Sequence, residues 1–133
     1  MSDTDVARKL LLKPGTSFLL LNAPPEYGSA IAAASEDVRQ SEQAGDGSYD
    51  LVQVFAVDRA NLTELWPQAV GAVRPGGILW ITYPKQSGAI RSDLNRDRIR
   101  ELTADSGWQP VTQIAIDDTW SALRFRPNAD VGH

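Results

Sequence analysis

The chain has 133 residues, of which 42% are hydrophobic and 23% are charged, and its formal net charge at pH 7 is −4. This length and composition predict one folded domain with its own core, and the negative charge argues against binding to nucleic acid, which depends on cationic contacts to phosphate. Because cysteine is absent and the single histidine is His133, disulfides and thiolate sites are excluded, and histidine-based catalysis or metal binding is not expected.

The N-terminal third is predicted to contain two helices around one buried strand. Residues 6–12 are predicted to form a short helix, and residues 17–22 form a continuous apolar run that is typical of a strand buried on both faces. Two prolines then end this strand, and a second helix is expected over residues 26–34. The polar stretch 35–48 is predicted to be mostly loop, with a short strand near Val38.

The central part is predicted to be a strand, a crossover helix and a second strand. Residues 51–56 are predicted to form a buried strand. The helix after it is expected to begin near Asn61, because Glu64 lies three positions later, as is typical of a helix start. Pro67 predicts a kink, or a helix that begins late enough to place this proline in its first turn. A tight turn at Pro75-Gly76-Gly77 then leads into a strand over residues 78–83. Two buried strands joined through a helix are expected to lie parallel in one sheet.

The C-terminal part is predicted to be a helix followed by an antiparallel hairpin. A helix is expected over residues 94–106, capped by Ser92 or the aspartate after it, with Gly107 in a left-handed conformation at its end. Residues 108–116 and 120–125 alternate apolar and polar side chains around a polar turn, as the strands of a hairpin do.

Together these elements predict an α/β fold. We expect a three-layer, Rossmann-like arrangement in which a mostly parallel sheet of about five to six strands ends in the C-terminal antiparallel hairpin. A single domain is predicted over residues 1–127, followed by a polar tail over residues 128–133.

The order of strand, Pro-Gly-Gly turn, strand, helix, Gly-Trp pair and hairpin over residues 49–127 resembles the second half of a class I S-adenosylmethionine-dependent methyltransferase. In that family a glycine-rich loop after the first strand lets the backbone approach the cofactor, and an acid after the second strand binds the ribose hydroxyls. Here the first strand runs into Asn22-Ala23-Pro24-Pro25-Glu26, and Gly28 is the one glycine nearby. The prolines also lack amide donors. The resemblance therefore implies a truncated methyltransferase-like scaffold, and we predict that it has no cofactor.

A second resemblance spans nearly the whole chain. Residues 19–24, 83–85 and 117–127 are similar to the corresponding segments of short bacterial proteins of unknown function that keep this pared-down scaffold. That resemblance implies a compact Rossmann-like fold, and it implies no activity.

In open parallel sheets, ligands bind beyond the carboxyl ends of the strands. The ligand-binding residues that this rule predicts are Asn22, Tyr27, Tyr83, Lys85, Asp118 and Trp120. The N-terminus of the helix over residues 94–106 is expected at the same edge, beside Arg91 and Arg96. Two interpretations of Lys85 remain open, because it could form an ion pair with Asp117 or Asp118 or hold the carboxylate or phosphate of a ligand. Among the four tryptophans, Trp120 is the best candidate for half exposure, and no catalytic residue or metal ligand is predicted.

The leading hypothesis is a small binding or interaction module without S-adenosylmethionine-dependent activity. Its partner would be a small anion at the edge that carries Asn22, Tyr83 and Lys85, or another protein. The alternative is a residual enzyme that uses Tyr83 and Lys85 as acid and base on an anionic or nucleotide-like substrate, which requires a concave and partly desolvated pocket.

Two further expectations concern assembly and location. A homodimer would cover the edge of the sheet near Val38, because exposed edges favour pairing with another chain. A cytoplasmic location is expected and membrane insertion is not, because no apolar run reaches the roughly 18–20 residues that cross a bilayer and the acidic N-terminus lacks the features of a secretory signal.

Overall fold

Helices and strands alternate along the chain in a computed structural model that describes residues 3–24, 26–33, 39–41, 48–86 and 90–128. The helices are α1 (Asp3–Lys9), α2 (Tyr27–Ala33), α3 (Arg59–Ala72) and α4 (Arg96–Thr103), the last of which continues into a 3₁₀ turn over Ala104–Ser106. The strands are β1 (Ser17–Leu21), β2 (Arg39–Ser41), β3 (Tyr49–Phe55), β4 (Val73–Pro84), β5 (Trp108–Ala115) and β6 (Trp120–Pro127). In this part of the chain, no helix is long and apolar enough to cross a membrane.

The strands form one mixed sheet in the order β2-β1-β3-β4-β6-β5. The first four of these strands are parallel, and β6 is antiparallel to both β4 and β5. The predicted parallel sheet with a C-terminal antiparallel hairpin is therefore confirmed. Because two antiparallel steps make β5 parallel to β4, the turn between β5 and β6 lies at the carboxyl ends of the parallel strands. There the backbone N–H of Lys85 donates a hydrogen bond to the carbonyl oxygen of Thr119, at 2.8 Å.

Alternating residues of the strands form two cores, one on each face of the sheet. Leu79, Ile81 and Tyr83 of β4 pack with α3 and α4, and we call this side the α3/α4 face. Trp80, which lies between two of them in sequence, packs instead with Phe55, α1 and α2, and this side is the α1/α2 face. The predicted three-layer arrangement is therefore confirmed, and each side chain at the carboxyl edge belongs to one of two separate surfaces.

The helix boundaries differ from those predicted because different polar residues cap the helices. The carboxylate of Asp58 accepts a hydrogen bond from the backbone N–H of Asn61 at 2.8 Å, so α3 begins at Arg59. At the next helix, Asn95 accepts from the backbone N–H of Arg98 at 2.8 Å, so the predicted cap at Ser92 or Asp93 is wrong. Several neighbouring residues of these types can cap a helix equally well, and packing selects among them.

Two further boundaries concern α1 and the short strand β2. Helix α1 spans Asp3–Lys9, so the predicted helix over residues 6–12 begins three residues too late. The chain then leaves the helical conformation, with a φ of 67° at Leu11. The predicted short strand is confirmed as β2, while Val38 lies outside the described residues.

The structure also differs from the predictions at two prolines, Pro67 within α3 and Pro75 at the start of the predicted turn. Helix α3 begins at Arg59 and continues through Pro67 to Ala72, so of the two predicted alternatives the one that places this proline in the first turn is wrong, while a kink stays a prediction. The predicted turn at residues 75–77 lies inside β4, where Tyr49 aligns with Val73 but Leu51 aligns with Ile78. Residues 74–77 of β4 therefore lie opposite Asp50 alone and form a large bulge. Within this bulge Gly76 has a φ of 77°, a conformation that favours glycine.

Asp50 connects this bulge to β1. Its carboxylate accepts a hydrogen bond from the backbone N–H of Ser17 at 3.0 Å and another from Arg74 Nε at 2.6 Å. These contacts, chiefly the one from Ser17, hold the pKa of Asp50 below its ordinary value of 3.8.

We expect Asp50→Asn to lower the free energy of unfolding at pH 7 by about 1 kcal/mol, because the ion pair with Arg74 is partly exposed and solvent screens it. A depressed pKa in the folded state stabilises the protein above the ordinary pKa, and this contribution is lost as the pH falls through the folded value. Urea unfolding at pH 7 and at pH 3 would measure the difference, with Asp105→Asn on the exposed 3₁₀ turn as the control. An equal cost of Asp50→Asn at both pH values would contradict this role.

Candidate functional site

The crevice between β1 and β3 is bridged by the side chain of Asn22. This is the place where the strand order reverses and where open α/β sheets usually bind ligands. Asn22 has a φ of 61°, and its Nδ2 donates to the carbonyl oxygen of Phe55 at 2.9 Å. The same Nδ2 lies 3.5 Å from Oδ1 of Asn61, which also accepts from the backbone N–H of Val57 at 3.3 Å. The polar groups at this crevice are therefore bonded to one another.

Tyr27 belongs to a buried polar chain on the α1/α2 face. Its hydroxyl donates to Gln53 Oε1 at 3.0 Å, and Gln53 Nε2 donates to Thr82 Oγ1 at 2.8 Å. Gln53 and Thr82 are fully buried, and their polarity within two apolar strands is the sequence signal that points to such a chain. Tyr27 and Tyr83 lie on opposite faces of the sheet, so these two predicted ligand-binding residues do not line a common site.

The hairpin turn is stabilised by Asp117, and the residues after it do not form an exposed surface. Oδ1 of Asp117 accepts from the backbone N–H groups of Thr119 and Trp120, at 2.8 Å and 2.9 Å. Trp120 is only 8% exposed, and its ring meets the ring of Phe55 edge-on at a centroid distance of 5.0 Å, so this best candidate for half exposure is buried. Asp118 is exposed, and it has no hydrogen bond or ion pair with the described residues.

An open cavity of about 560 Å³ lies on the α3/α4 face, between the ends of β4, β5 and β6 and the start of α4. We call it the carboxyl-edge cavity, and its lining residues are Tyr83, Lys85, Gln86, Asn95, Arg96, Asp97, Gln113 and Ser121. Of the six predicted ligand-binding residues, the structure brings Tyr83 and Lys85 to this cavity and places Asn22, Tyr27, Asp118 and Trp120 elsewhere. Gln113 and Ser121 were missed because their position depends on the register of the hairpin.

Two hydroxyl groups, carried by largely buried residues, form one wall of the carboxyl-edge cavity. Tyr83 and Ser121 are directly opposite each other in the antiparallel pair of β4 and β6, so their side chains lie close together on one face. Tyr83 is 5% exposed and Ser121 is 6% exposed, and neither hydroxyl has a hydrogen-bond partner in the described structure. Neither oxygen is among the fully buried side-chain atoms that lack a partner, so both hydroxyls reach the opening of the cavity, where water or a ligand can bond to them.

Positive charge is also available at this cavity. Lys85 and Arg96 line it, and neither side chain has an ion-pair partner among the described residues, so the predicted pair of Lys85 with Asp117 or Asp118 is wrong. Described ion pairs lie elsewhere, between Asp5 and Arg8 and between Asp50 and Arg74.

The state of the Tyr83 hydroxyl follows from its surroundings. Burial raises the pKa of Tyr83 above its ordinary value of 10.0, and the charge of Arg96 opposes that rise. The hydroxyl is therefore protonated at neutral pH and can donate a hydrogen bond to a ligand.

The described residues offer little to a metal ion or to an adenosyl cofactor. No group of three histidine, aspartate or glutamate side chains comes together among them in a way that could hold a metal ion. The described part of the loop after β1 contains no glycine, since Gly28 lies inside α2, and Pro24 has no amide donor. The hydrogen bond from Asn22 to Phe55 also occupies the crevice. The described residues therefore do not form a glycine-rich cofactor loop after β1.

The sequence matches no protein-family model, and no curated protein matches it. Solved structures are nevertheless similar in fold. An S-adenosylmethionine-dependent methyltransferase from Aquifex aeolicus is 10% identical with a TM-score of 0.64, over 92% of this chain and 88% of that one. The CcbJ methyltransferase from Streptomyces caelestis is 8% identical with a TM-score of 0.59, over 94% and 88%. A TehB-like methyltransferase from Corynebacterium glutamicum is 11% identical with a TM-score of 0.57, over 94% and 86%.

These similarities define the fold. The chain has a methyltransferase-like α/β scaffold, as the resemblance over residues 49–127 implied. At such low sequence identity the likeness does not extend to activity, because one fold hosts many functions and the function depends on the residues of the site.

Proposed function

We propose that this protein is a binding module that takes a small anionic molecule in the carboxyl-edge cavity and does not use S-adenosylmethionine. The observation that carries this proposal is the presence of two unpaired cations, Lys85 and Arg96, beside the two unpaired hydroxyls of Tyr83 and Ser121. Hydrogen bonds to charged groups are roughly twice as strong as those between neutral groups, so an anion gains most from this combination.

The volume of the cavity supports a small-molecule ligand. About 560 Å³ lies within the range of roughly 300–1,000 Å³ that is typical of sites for small molecules. The cavity is also at the carboxyl edge, where the open sheets of this fold class bind their ligands. The cavity lies beside the antiparallel strands and not at the crevice between β1 and β3. The proposed site is therefore separate from the crevice where open α/β sheets usually bind nucleotides.

The alternative function is a residual enzyme that uses Tyr83 and Lys85 as acid and base, since both residues line the same cavity, but the wide opening of this cavity does not favour proton transfer in a desolvated pocket. The raised pKa of Tyr83 restricts that hydroxyl to the role of a proton donor at neutral pH. Among the described residues, no side chain accepts a hydrogen bond from the Tyr83 hydroxyl, so no partner prepares it to lose a proton. Binding therefore accounts for more of the observed geometry than proton transfer does.

Isothermal titration calorimetry tests both parts of this proposal. We expect saturable binding of citrate and of inorganic phosphate, and no binding of S-adenosylmethionine or S-adenosylhomocysteine at concentrations up to millimolar. Micromolar binding of either adenosyl compound would overturn the statement about the cofactor. The absence of binding by every anion tested would overturn the statement about the ligand.

A further inference from the structure

We infer that the ligand of the carboxyl-edge cavity is a polyhydroxylated anion, such as a sugar phosphate or a sugar carboxylate. This inference rests on the proposed function and names the chemical class of the ligand. It depends on the kind of side chain that lines the cavity, and on where the charged and neutral groups lie.

All eight lining residues carry polar side chains. Ligand sites for drug-like molecules and cofactors are usually lined mainly by hydrophobic and aromatic groups, with only a few polar ones. The described lining of this cavity contains no aliphatic side chain, and its only aromatic residue, Tyr83, also carries a hydroxyl. A nucleobase or an acyl chain would therefore lose its hydration here without gaining apolar contacts, whereas a hydroxyl-rich molecule would exchange water for protein hydrogen bonds.

The neutral groups of the lining match the chemistry of ligand hydroxyls. The side-chain amide of Gln113 and the hydroxyls of Tyr83 and Ser121 each provide a donor and an acceptor, as an alcohol group does. Tyr83 and Ser121 are more than nine-tenths buried and have no partner in the described structure. Both side chains line the open cavity, so a ligand that enters it can form hydrogen bonds with these two hydroxyls.

The charged groups restrict the ligand in a second way. Lys85 and Arg96 attract an anionic group, while Asp97 lines the same cavity and repels negative charge close to its own carboxylate. A carboxylate can accept hydrogen bonds from the hydroxyls of a ligand, so Asp97 favours a hydroxylated part of the ligand beside it.

The decisive experiment compares gluconate with hexanoate by isothermal titration calorimetry. Both probes have one carboxylate on a six-carbon chain, and they differ in the hydroxyl groups. We expect gluconate to bind at least tenfold more tightly, since about one net hydrogen bond accounts for a factor of that size. Glucose 6-phosphate should likewise bind more tightly than inorganic phosphate and than AMP. A comparison of gluconate with glucose 6-phosphate then shows whether the cavity prefers a carboxylate or a phosphate.

Variants locate the effect in the cavity. Tyr83→Phe and Ser121→Ala each remove one hydroxyl, and each should weaken gluconate binding about tenfold while leaving hexanoate binding unchanged. Gln113→Met removes the amide that lines the same cavity from β5. Gln113 is exposed, so this variant should fold, and Gln109→Met at the far end of β5 is its matched control. Thermal unfolding of each variant confirms that it is folded.

The outcomes distinguish this inference from the proposed function. If no anion binds, both fail. If gluconate and hexanoate bind equally, or if AMP binds more tightly than glucose 6-phosphate, binding of an anion stands and the inference about its hydroxyls is overturned. Equal effects of Gln113→Met and Gln109→Met on gluconate binding would also overturn it.

Discussion

Replacing Trp80 with alanine is expected to lower the free energy of unfolding by about 3–5 kcal/mol, the range for removal of a large buried aromatic side chain. Trp80 is 1% exposed and lies near the centre of the α1/α2 face. Its indole Nε1 donates a hydrogen bond to the carbonyl oxygen of Leu10 at 3.0 Å, which ties β4 to the segment that follows α1. Alanine would leave a cavity in the core and an unpaired carbonyl group beside it. Domains of this size are stable by only about 5–15 kcal/mol, so this loss is a large share of the total.

Two variants separate the contributions to that loss. Trp80→Phe keeps most of the apolar volume and removes the hydrogen bond to Leu10, so its cost should be about 1–3 kcal/mol. Trp108→Ala removes an indole that is only half-buried at the start of β5, and its cost should be clearly smaller than that of Trp80→Ala. Urea unfolding followed by circular dichroism measures all three, because this signal does not depend on a particular tryptophan. Equal costs for Trp80→Ala and Trp108→Ala would contradict the position assigned to Trp80.

Removal of both cations from the carboxyl-edge cavity should abolish most of its affinity for anions. We expect the double variant Lys85→Gln with Arg96→Gln to bind citrate at least about 100-fold more weakly than the natural protein. A hydrogen bond to a charged group contributes about 1.5–3 kcal/mol, which corresponds to roughly 10–100-fold in affinity for each cation. The two glutamines keep polar side chains of moderate size, so the fold should not change.

The matched control for this experiment is Arg100→Gln, which removes the same charge from the same helix one turn further along. Arg100 does not line the carboxyl-edge cavity, so citrate binding should change by less than about threefold. Binding to the natural protein should also weaken as salt is added, because exposed charges are screened. A double variant that binds citrate within threefold of the natural protein would show that the anion lies elsewhere.

Much of the sheet could be predicted from residue pattern. Strand β1 is a nearly continuous apolar run, and β3 is apolar over residues 51–55 except at Gln53, as is typical of strands buried on both faces of a parallel sheet. The hairpin of β5 and β6 followed from the alternation of apolar and polar residues. Gly107, with a φ of 86°, ends the last helical turn as its position predicted. These predictions succeeded because they depend on properties of neighbouring residues.

The exact ends of the helices were harder to predict, and so was the bulge in β4. Asp58 and Asn95 cap helices, while Asp93 accepts a hydrogen bond from the backbone N–H of Arg59 at the start of another helix. All three residue types are good caps, so composition does not distinguish these roles. The choice among them depends on which backbone groups the tertiary structure brings within reach.

The candidate site, too, could be predicted only in part from the sequence. The strand directions and the rule for open sheets predicted a site at the carboxyl edge, and two of the residues predicted there, Tyr83 and Lys85, line the cavity. That rule does not say which face of the sheet is open. Tyr27 comes after β1 and Trp120 is the first residue of β6, so both positions are at the predicted edge. Their side chains nevertheless lie on the α1/α2 face and contact Phe55 in the core.

The sequence by itself determined the class of fold, the order of its strands and helices along the chain, and the edge where a ligand is expected, because apolar periodicity and turn residues act locally. Only the tertiary structure decided the composition of the carboxyl-edge cavity. The register of β6 against β4 places the hydroxyls of Ser121 and Tyr83 side by side, and the direction of α4 brings Arg96 to the same opening. These residues are far apart in sequence, and no local pattern encodes the contacts that join them.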